Sequence, residues 1–463
     1  MWRLLMQDLR RRRFARVALA MGATTVALLV TTSAQASNTL TVCASGPPEC
    51  QYSTVQEALI AAVNGDRILI APGSYTAGFT VEKSVSLIGS GANETTLSGG
   101  QVGVTIAGGV AVTIRGVTVS DATDTGVVNL GTLTVQESTA ARDGLANFQG
   151  PCGVLNAGTL TLSHSAVRDN CWDTPSPDVG AIENHGELTL WDSAVVHNRG
   201  VHVGGIDNEG SATITNSVFD DNVGMGPGNI DNAGYLKLRN SMVAGGICEV
   251  GCGIFNHNVA VVVDSVVTGN SGLGSQDGPI TNFGGTLTIR GSTIRANDGA
   301  LGSPGALSNV AGTVTIKGSV IAGNASWDGD AAIKNWGEIN IRNSNILRNR
   351  GGGGIENNGQ MTLWHSSVGE NANLASFGPG GGGVHNLGTL TLGWSRVSDN
   401  TAETIGGGIL NEGSVELEHS LVTRNTAVQG LNGQFGGGIY NTGAITLRHS
   451  SVRGNIPDDC FGC

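Results

Sequence analysis

One pattern recurs down most of this chain and constrains its fold more than anything else: G-G-I-x-N-x-G-x-L-x-L-x-x-S-x-V-x-x-N, seen from Gly407 to Asn425 as GGILNEGSVELEHSLVTRN. Its first Asn falls at Asn129, Asn156, Asn184, Asn208, Asn232, Asn256, Asn282, Asn309, Asn335, Asn357, Asn386, Asn411 and Asn441, thirteen copies spaced 22 to 30 residues apart. A Ser follows nine or ten residues on, and a second Asn five residues after the Ser in all but two copies, where Asp143 and Gly246 stand instead. A fixed period of this length marks a stacked repeat architecture.

Within the unit apolar and polar residues alternate, as in Leu160-Thr161-Leu162, which is the period of a strand and not of a helix. Each copy has room for three short strands, too short to bury a face alone. Stacking coil on coil buries Ile, Leu and Val in one core and pairs every backbone edge. The fold class expected is therefore all-β: a single parallel β-helix, right-handed because parallel crossovers almost always are, with coils about 4.8 Å apart. The recurrent Asn should stack as an amide ladder inside or at a turn, helped by its tolerance of left-handed backbone. The 73 glycines could signal disorder, but 39% apolar residues held in register oppose that.

At the N-terminus, Arg10–Arg13 and Arg16 precede an apolar run and the small-x-small site Ala34-Gln35-Ala36. Residues 1–36 read as an export signal of Sec or, through Arg11-Arg12-Arg13-Phe14, twin-arginine type. The expected address is secreted or extracellular in a bacterium, with no membrane insertion of the mature chain, which is expected to be a monomer. Six arginines and one aspartate leave with the signal, so 19 basic residues face 36 acidic ones, a net charge of −17. Such a chain repels nucleic acid and anionic lipid. All eight cysteines lie beyond the signal as near neighbours: Cys43/Cys50, Cys152/Cys171, Cys248/Cys252 and Cys460/Cys463. In an exported chain they should form disulfides, and neighbour pairing is the expectation among 105 connectivities.

Residues 37–100 form an N-terminal cap and first coils, 101–455 the repeats, and 456–463 a C-terminal cap with a Cys pair. Ser53-Thr54-Val55-Gln56-Glu57 carries a capping box ahead of a short helix over 58–63. Strands are expected at 67–71 and 85–88, with a turn at Pro72-Gly73-Ser74-Tyr75 between them. TVQEALIAAVNGDRILIAPGSY followed by VEKSVSLIG resembles the opening of right-handed parallel β-helix proteins of the pectin-lyase-like superfamily, where the helix caps the mouth of the solenoid. The GGI…N and S-x-V-x-x-N units resemble repeats of bacterial polymorphic outer-membrane proteins. The first resemblance implies the fold and leaves activity open, since lyases, hydrolases, esterases and non-catalytic adhesins share it. An esterase-like QDT and DFIFG pair is absent; of a polygalacturonase-like NTD, DD and GHG set only Asp220-Asp221 occurs. The repeats run to Cys463 without a translocating barrel, so the chain is not expected to carry its own transporter.

Aligned repeats allow each slot to be compared from coil to coil. The slot before the first Asn should face outward and holds Glu183, Asp207 and Asp231 on three successive coils. Carboxylates one strand spacing apart repel, so Ca²⁺, raised pKa values or hydration must compensate. A Ca²⁺ or acidic catalytic site like those of polyuronate lyases is one reading; a solvated acidic row is the other. Glu183 and Asp231 would also suit an inverting hydrolase's carboxyl gap of roughly 6.5–9.5 Å. A second slot, at the bend, reads Trp191, Thr215, Arg239, Val263, Arg290, Lys317, Arg342 and Trp364. It could line a track for an acidic glycan, with rings stacking on sugars and guanidinium groups pairing carboxylates. A row of outward Thr is broken by Lys237, Glu187, Glu338 and Glu416 and reads as ordinary strand residues, not an ice-binding array. His164, His365, His419 and His449, each just before the Ser, read as exposed bend residues. The variable segments are rich in Gly, Ser, Pro and Asn and poor in reactive groups, which favours a structural or binding role.

Two functions remain: a non-catalytic secreted β-helix binding a cell-surface or extracellular polymer, without cofactor; or a polysaccharide lyase or glycoside hydrolase acting on an acidic glycan, possibly with Ca²⁺.

Overall fold

A computed structural model describes residues 37–463 except 146–149, 172–177, 273–276, 300–301, 328, 375–379 and 431–432. The export segment expected over 1–36 lies outside the described residues. The chain from Ser37 winds as a parallel β-solenoid whose strands collect into four sheets of 17, 16, 16 and 10 strands. Each strand pairs in parallel with the equivalent strand of the next coil. A coil passes through a three-residue strand ending on the first Asn (the Asn sheet, as Ile206–Asn208), then a five-residue strand (the long sheet, as Ser211–Thr215). It continues through a three-residue strand after the Ser (the Ser sheet, as Val218–Asp220). Ten coils, from Arg199–Gly200 to Thr426–Ala427, add a two-residue strand after the second Asn, a fourth sheet that three strands per coil did not anticipate. Two residues are too few to show a period of two, which is why the sequence hides it.

Register carries the pattern into the core. Ile182, Ile206, Ile230 and Ile254 stack in one column, and Leu188, Ala212, Leu236 and Ala260 in another, each buried. One continuous apolar cluster runs from Val42 to Ile439. The first Asn of every copy is also internal. From Asn129 to Asn441 each Nδ2 donates to the Oδ1 of the Asn on the next coil at 2.6–2.9 Å without a break. Each link contributes on the order of 1 kcal/mol. The Ser column forms a third kind of rung: Ser193 N donates to Ser217 Oγ, and Ser217 N to Ser241 Oγ.

The ladder asparagines do not adopt positive φ. The left-handed backbone falls one residue before the Ser (Asp192, Asn216, Asn240, His365, Trp394, His419) and one before the second Asn (Asp169, His197, Asp221, Arg348). Those two bends turn the chain, and the amides inside satisfy the carbonyls the bends expose, as Asn198 Nδ2 does for Val167 O and Val196 O.

The N-terminal helix spans Val55–Ala61, with Thr54 and Glu57 closing the capping box. It packs on the strands Thr39–Val42 and Arg67–Ile70. The turn expected at 72–75 is instead a strand, Gly73–Thr76, which opens the Ser sheet against Thr95–Ser98; the Tyr75 hydroxyl donates to Ala71 O at 2.9 Å. The eight cysteines pair as neighbours: Cys43–Cys50, Cys152–Cys171, Cys248–Cys252 and Cys460–Cys463.

Candidate functional sites

Glu183, Asp207 and Asp231 stand in register at the middle of three successive Asn-sheet strands. Phe255, itself buried, is next to Asp231 in the same column. His202, from the segment after the short strand Arg199–Gly200, leans over the row. Its Nδ1 lies 3.8 Å from Asp207 Oδ2 and 4.0 Å from Asp178 Oδ1, and its Nε2 lies 3.8 Å from Asp231 Oδ2. His257 Nε2 is 3.5 Å from Asp231 Oδ1, while His185 bridges Glu183 at 2.7 Å and Glu209 at 2.9 Å. Side-chain exposure falls along the row from 23% at Glu183 to 14% at Asp207 and 9% at Asp231, whose Oδ1 is buried without a hydrogen-bond partner.

Burial, and behind it the charges of Glu209 and Glu183, pushes Asp207 up to about 6 against the opposing pull of His202. Burial and then the charge of Asp207 push Asp231 up to about 7. Burial thus raises both carboxyls, and His202 beside them opposes the rise. Among the described residues no three His, Cys, Asp or Glu side chains are disposed to hold a metal ion.

The second column is also in register. Trp191, Thr215, Arg239, Val263, Arg290, Lys317, Arg342 and Trp364 occupy the last position of successive long-sheet strands. Arg239, Arg290, Lys317 and Arg342 are exposed. Among the described residues no carboxylate lies within ion-pair distance of them, whereas Arg115, Arg142, Arg348, Arg424 and Arg448 each hold one. The bend residues beside Arg290 and Lys317 are Gly291 and Gly318, and nothing stands within 4 Å of the place a Gly318 side chain would take. The two tryptophans lie far apart, seven strand spacings or about 33 Å. Trp191 packs edge-on to His164 at 4.8 Å; the Trp364 ring lies over Gly393, where a side chain would collide with it, and edge-on to His365.

Two further columns escaped the sequence. Trp394 fills the bend slot between His365 and His419, so the histidines there belong to one stack: His365–Trp394 at 6.1 Å, Trp394–His419 at 4.2 Å and His419–His449 at 4.9 Å. The corner slot just after the first Asn holds His257, Phe283, Val310 and Trp336 on successive coils, with Phe283 and Trp336 43% and 42% exposed. The slot is as regular in the sequence as its neighbour, and comparing it from copy to copy exposes both rings.

No protein-family model matches the chain, and no curated protein does. Among solved structures, it is similar to the pectin methylesterase of Aspergillus niger (14% identity, 57% of this chain and 87% of that one, TM-score 0.32). It is also similar to the catalytic domain of a GH87 α-1,3-glucanase (12%, 90% and 70%, TM-score 0.31) and to a PL6 family alginate lyase (12%, 85% and 74%, TM-score 0.30). The parallel solenoid rests on the chain's own strand pairing, and the likeness of its repeats to polymorphic outer-membrane proteins on the sequence alone.

Proposed function

We propose that this protein is a non-catalytic, extracellular binding module for an extended acidic polysaccharide, adhesin-like, which lies along the solenoid axis on the long-sheet edge. The observation that carries this reading is the run Arg290, Lys317, Arg342: three exposed cations on consecutive coils, about 4.8 Å apart, without carboxylate partners among the described residues. Like charges in register cost stability, and a protein of net charge −17 beyond residue 36 has carboxylates enough to neutralise them. Their isolation suits an anionic polymer with about one charge per coil, and Gly318 leaves the bend beside Lys317 open for its backbone, while the Asp264 carboxylate stands beside Gly291. Four disulfides fit an oxidising compartment.

The test is retention on an immobilised uronate polymer. Arg290→Ser with Arg342→Ser should weaken binding by ten- to a hundredfold and flatten its salt dependence; unchanged retention refutes the track. A second reading, a lyase or hydrolase using Glu183, Asp207 and Asp231, with or without Ca²⁺, draws support from the raised carboxyls of Asp207 and Asp231. New unsaturated or reducing ends, released from the polymer and lost in Asp231→Asn, would replace the first reading with this one.

A further inference from the structure

The chain has four lysines, and they sit in different surroundings. Lys83 Nζ donates to the carbonyls of Leu59, Ile60 and Ala62 at the end of the N-terminal helix, and Lys237 and Lys317 stand exposed on long-sheet strands. Lys334 is the middle residue of the Asn-sheet strand Ile333–Asn335; its Nζ donates to Asp330 Oδ1 at 2.6 Å and lies 3.8 Å from Glu356 Oε2. The side chains of Lys334, Asp330 and Glu356 are 16%, 14% and 21% exposed, whereas every arginine paired with a carboxylate among the described residues is at least 44% exposed. All three groups are held from outside the contact. Asp330 O accepts from Gly352 N at 2.7 Å, Glu356 Oε1 accepts from Asn358 Nδ2 at 2.8 Å, and the Trp336 ring centre lies 5.1 Å from Lys334 Nζ. One ammonium facing two part-buried carboxylates leaves a negative charge in excess, which burial penalises. Condensing the amine with one carboxyl removes both charges of that pair and leaves the second carboxyl free to carry protons.

We infer that Lys334 and Asp330 become joined by an isopeptide bond within the folded chain, with Glu356 as the general acid–base. A 2.6 Å contact with the carboxyl oxygen puts Nζ about 3–3.5 Å from Asp330 Cγ, the range of near-attack geometry. A proton passes from Nζ to the Asp330 carboxyl along that contact, leaving a neutral amine and a carboxylic acid. The nitrogen lone pair then forms the N–C bond as the carbonyl pair moves to oxygen. Glu356, about 1 Å beyond hydrogen-bond distance, closes to take a proton from the nitrogen. It returns that proton to the departing hydroxyl as the C–O bond breaks, and one water leaves. Nothing is oxidised or reduced, and Glu356 ends as the carboxylate it began as. The bond ties the segment after the short strand Ala325–Ser326, which carries the exposed Trp327, to the Asn sheet. It holds whichever polymer the solenoid binds.

Mass spectrometry of the full chain, reduced and digested with trypsin, tests this. Trypsin should cut after Lys317 and Arg342 but not after Lys334, so that 318–342 appears as one peptide, lighter than its sequence by one water. A succinimide at Asp328-Gly329 would also lose a water, but it leaves the Lys334 amine free and gives 318–334 and 335–342 separately. Asp330→Ala should restore both the cut and the full mass. Glu356→Gln, with the solenoid checked by circular dichroism, should lower the joined fraction at least about tenfold at equal times after synthesis. Full mass with cleavage after Lys334 in the wild type would overturn the inference, and so would a water loss with Lys334 uncut that survives Asp330→Ala. Joining in Glu356→Gln as fast as in the wild type would overturn the part assigned to Glu356.

Discussion

Asn229 offers the sharpest test of how the repeats hold together. Its place, just before the repeat Ile or Val, belongs to Gly in most copies: Gly126, Gly153, Gly205, Gly253, Gly354, Gly383, Gly408 and Gly438. The second Asn ladder lacks a member on this coil, because Gly246 stands where Asn222 and Asn270 stand on the coils either side. The Asn229 amide crosses into the gap. Asn222 Nδ2 donates to Asn229 Oδ1 at 2.8 Å, and Asn229 Nδ2 donates to Asn270 Oδ1 at 3.0 Å and to Ala244 O at 2.9 Å. Asn229→Gly, the substitution that averaging the repeats would recommend, removes all three. At about 1 kcal/mol each, the local cost is ~3 kcal/mol. Because a stack of repeats opens in parts, native-state hydrogen exchange is the right assay: protection over residues 243–247 should fall by roughly a hundredfold, with distant coils unmoved. Adding Gly246→Asn should not restore it, since a β-carbon there presses into the Cys252 carbonyl oxygen. A change under about 0.5 kcal/mol in the single variant, or full rescue in the double, would refute the crossing amide.

Two further outcomes follow from buried carboxyls. Asp143 replaces the second Asn at the head of that ladder; burial drives its pKa well above the usual range, and its Oδ2 lacks a hydrogen-bond partner. Asp143→Asn should therefore stabilise the coil by ~1–2 kcal/mol at neutral pH, read as a raised melting temperature, and a lowered one would show that the carboxyl is needed. Asp231, pushed up to about 7, keeps a proton in the folded chain that the unfolded chain releases near its ordinary value of 3.8. Folded protein then holds more protons than unfolded protein between those values, so stability is lost as pH rises from about 4 to 7 and is flat above. Asp231→Asn lacks that loss and should gain on the wild type across the same window, by up to ~4 kcal/mol; parallel pH profiles for the two would refute the shift.

The fold was legible because its signal is repeated: alternation in any one copy is weak, but in thirteen copies it sets strand order, register and core together. Glu183, Asp207 and Asp231 were legible as a column because an undisturbed spacing of 24 residues places slot upon slot, and Arg239 through Trp364 because each is counted from its own repeat's Leu although the spacing varies from 22 to 27. What the sequence did not reveal comes from the segments without a period. His202 belongs to the variable stretch after the short strand, and no slot comparison could bring it over Asp207 and Asp231. Burial of Asp231 needs that histidine together with Phe255, one coil away in space and 24 residues away in the chain. The outward slot thus proved partly buried at Asp231, and its carboxyl raised above the ordinary range, for reasons that lie outside its own repeat.

The crossing amide of Asn229 and the leaning ring of His202 point to one rule for chains of this kind. Backbone pairing from coil to coil fixes where each Cα sits, but a side chain reaches farther than the distance between neighbouring slots. A ladder position can therefore be filled from a different slot, and a surface column can be roofed from an insertion. A glycine where the repeat asks for Asn is then not a defect; it is the space that a neighbour's side chain needs. By the same reasoning, Gly393 beneath the Trp364 ring is coupled to that tryptophan: Gly393→Ala should displace the ring, which a change in indole fluorescence would report, although the substitution touches no residue of the cation run.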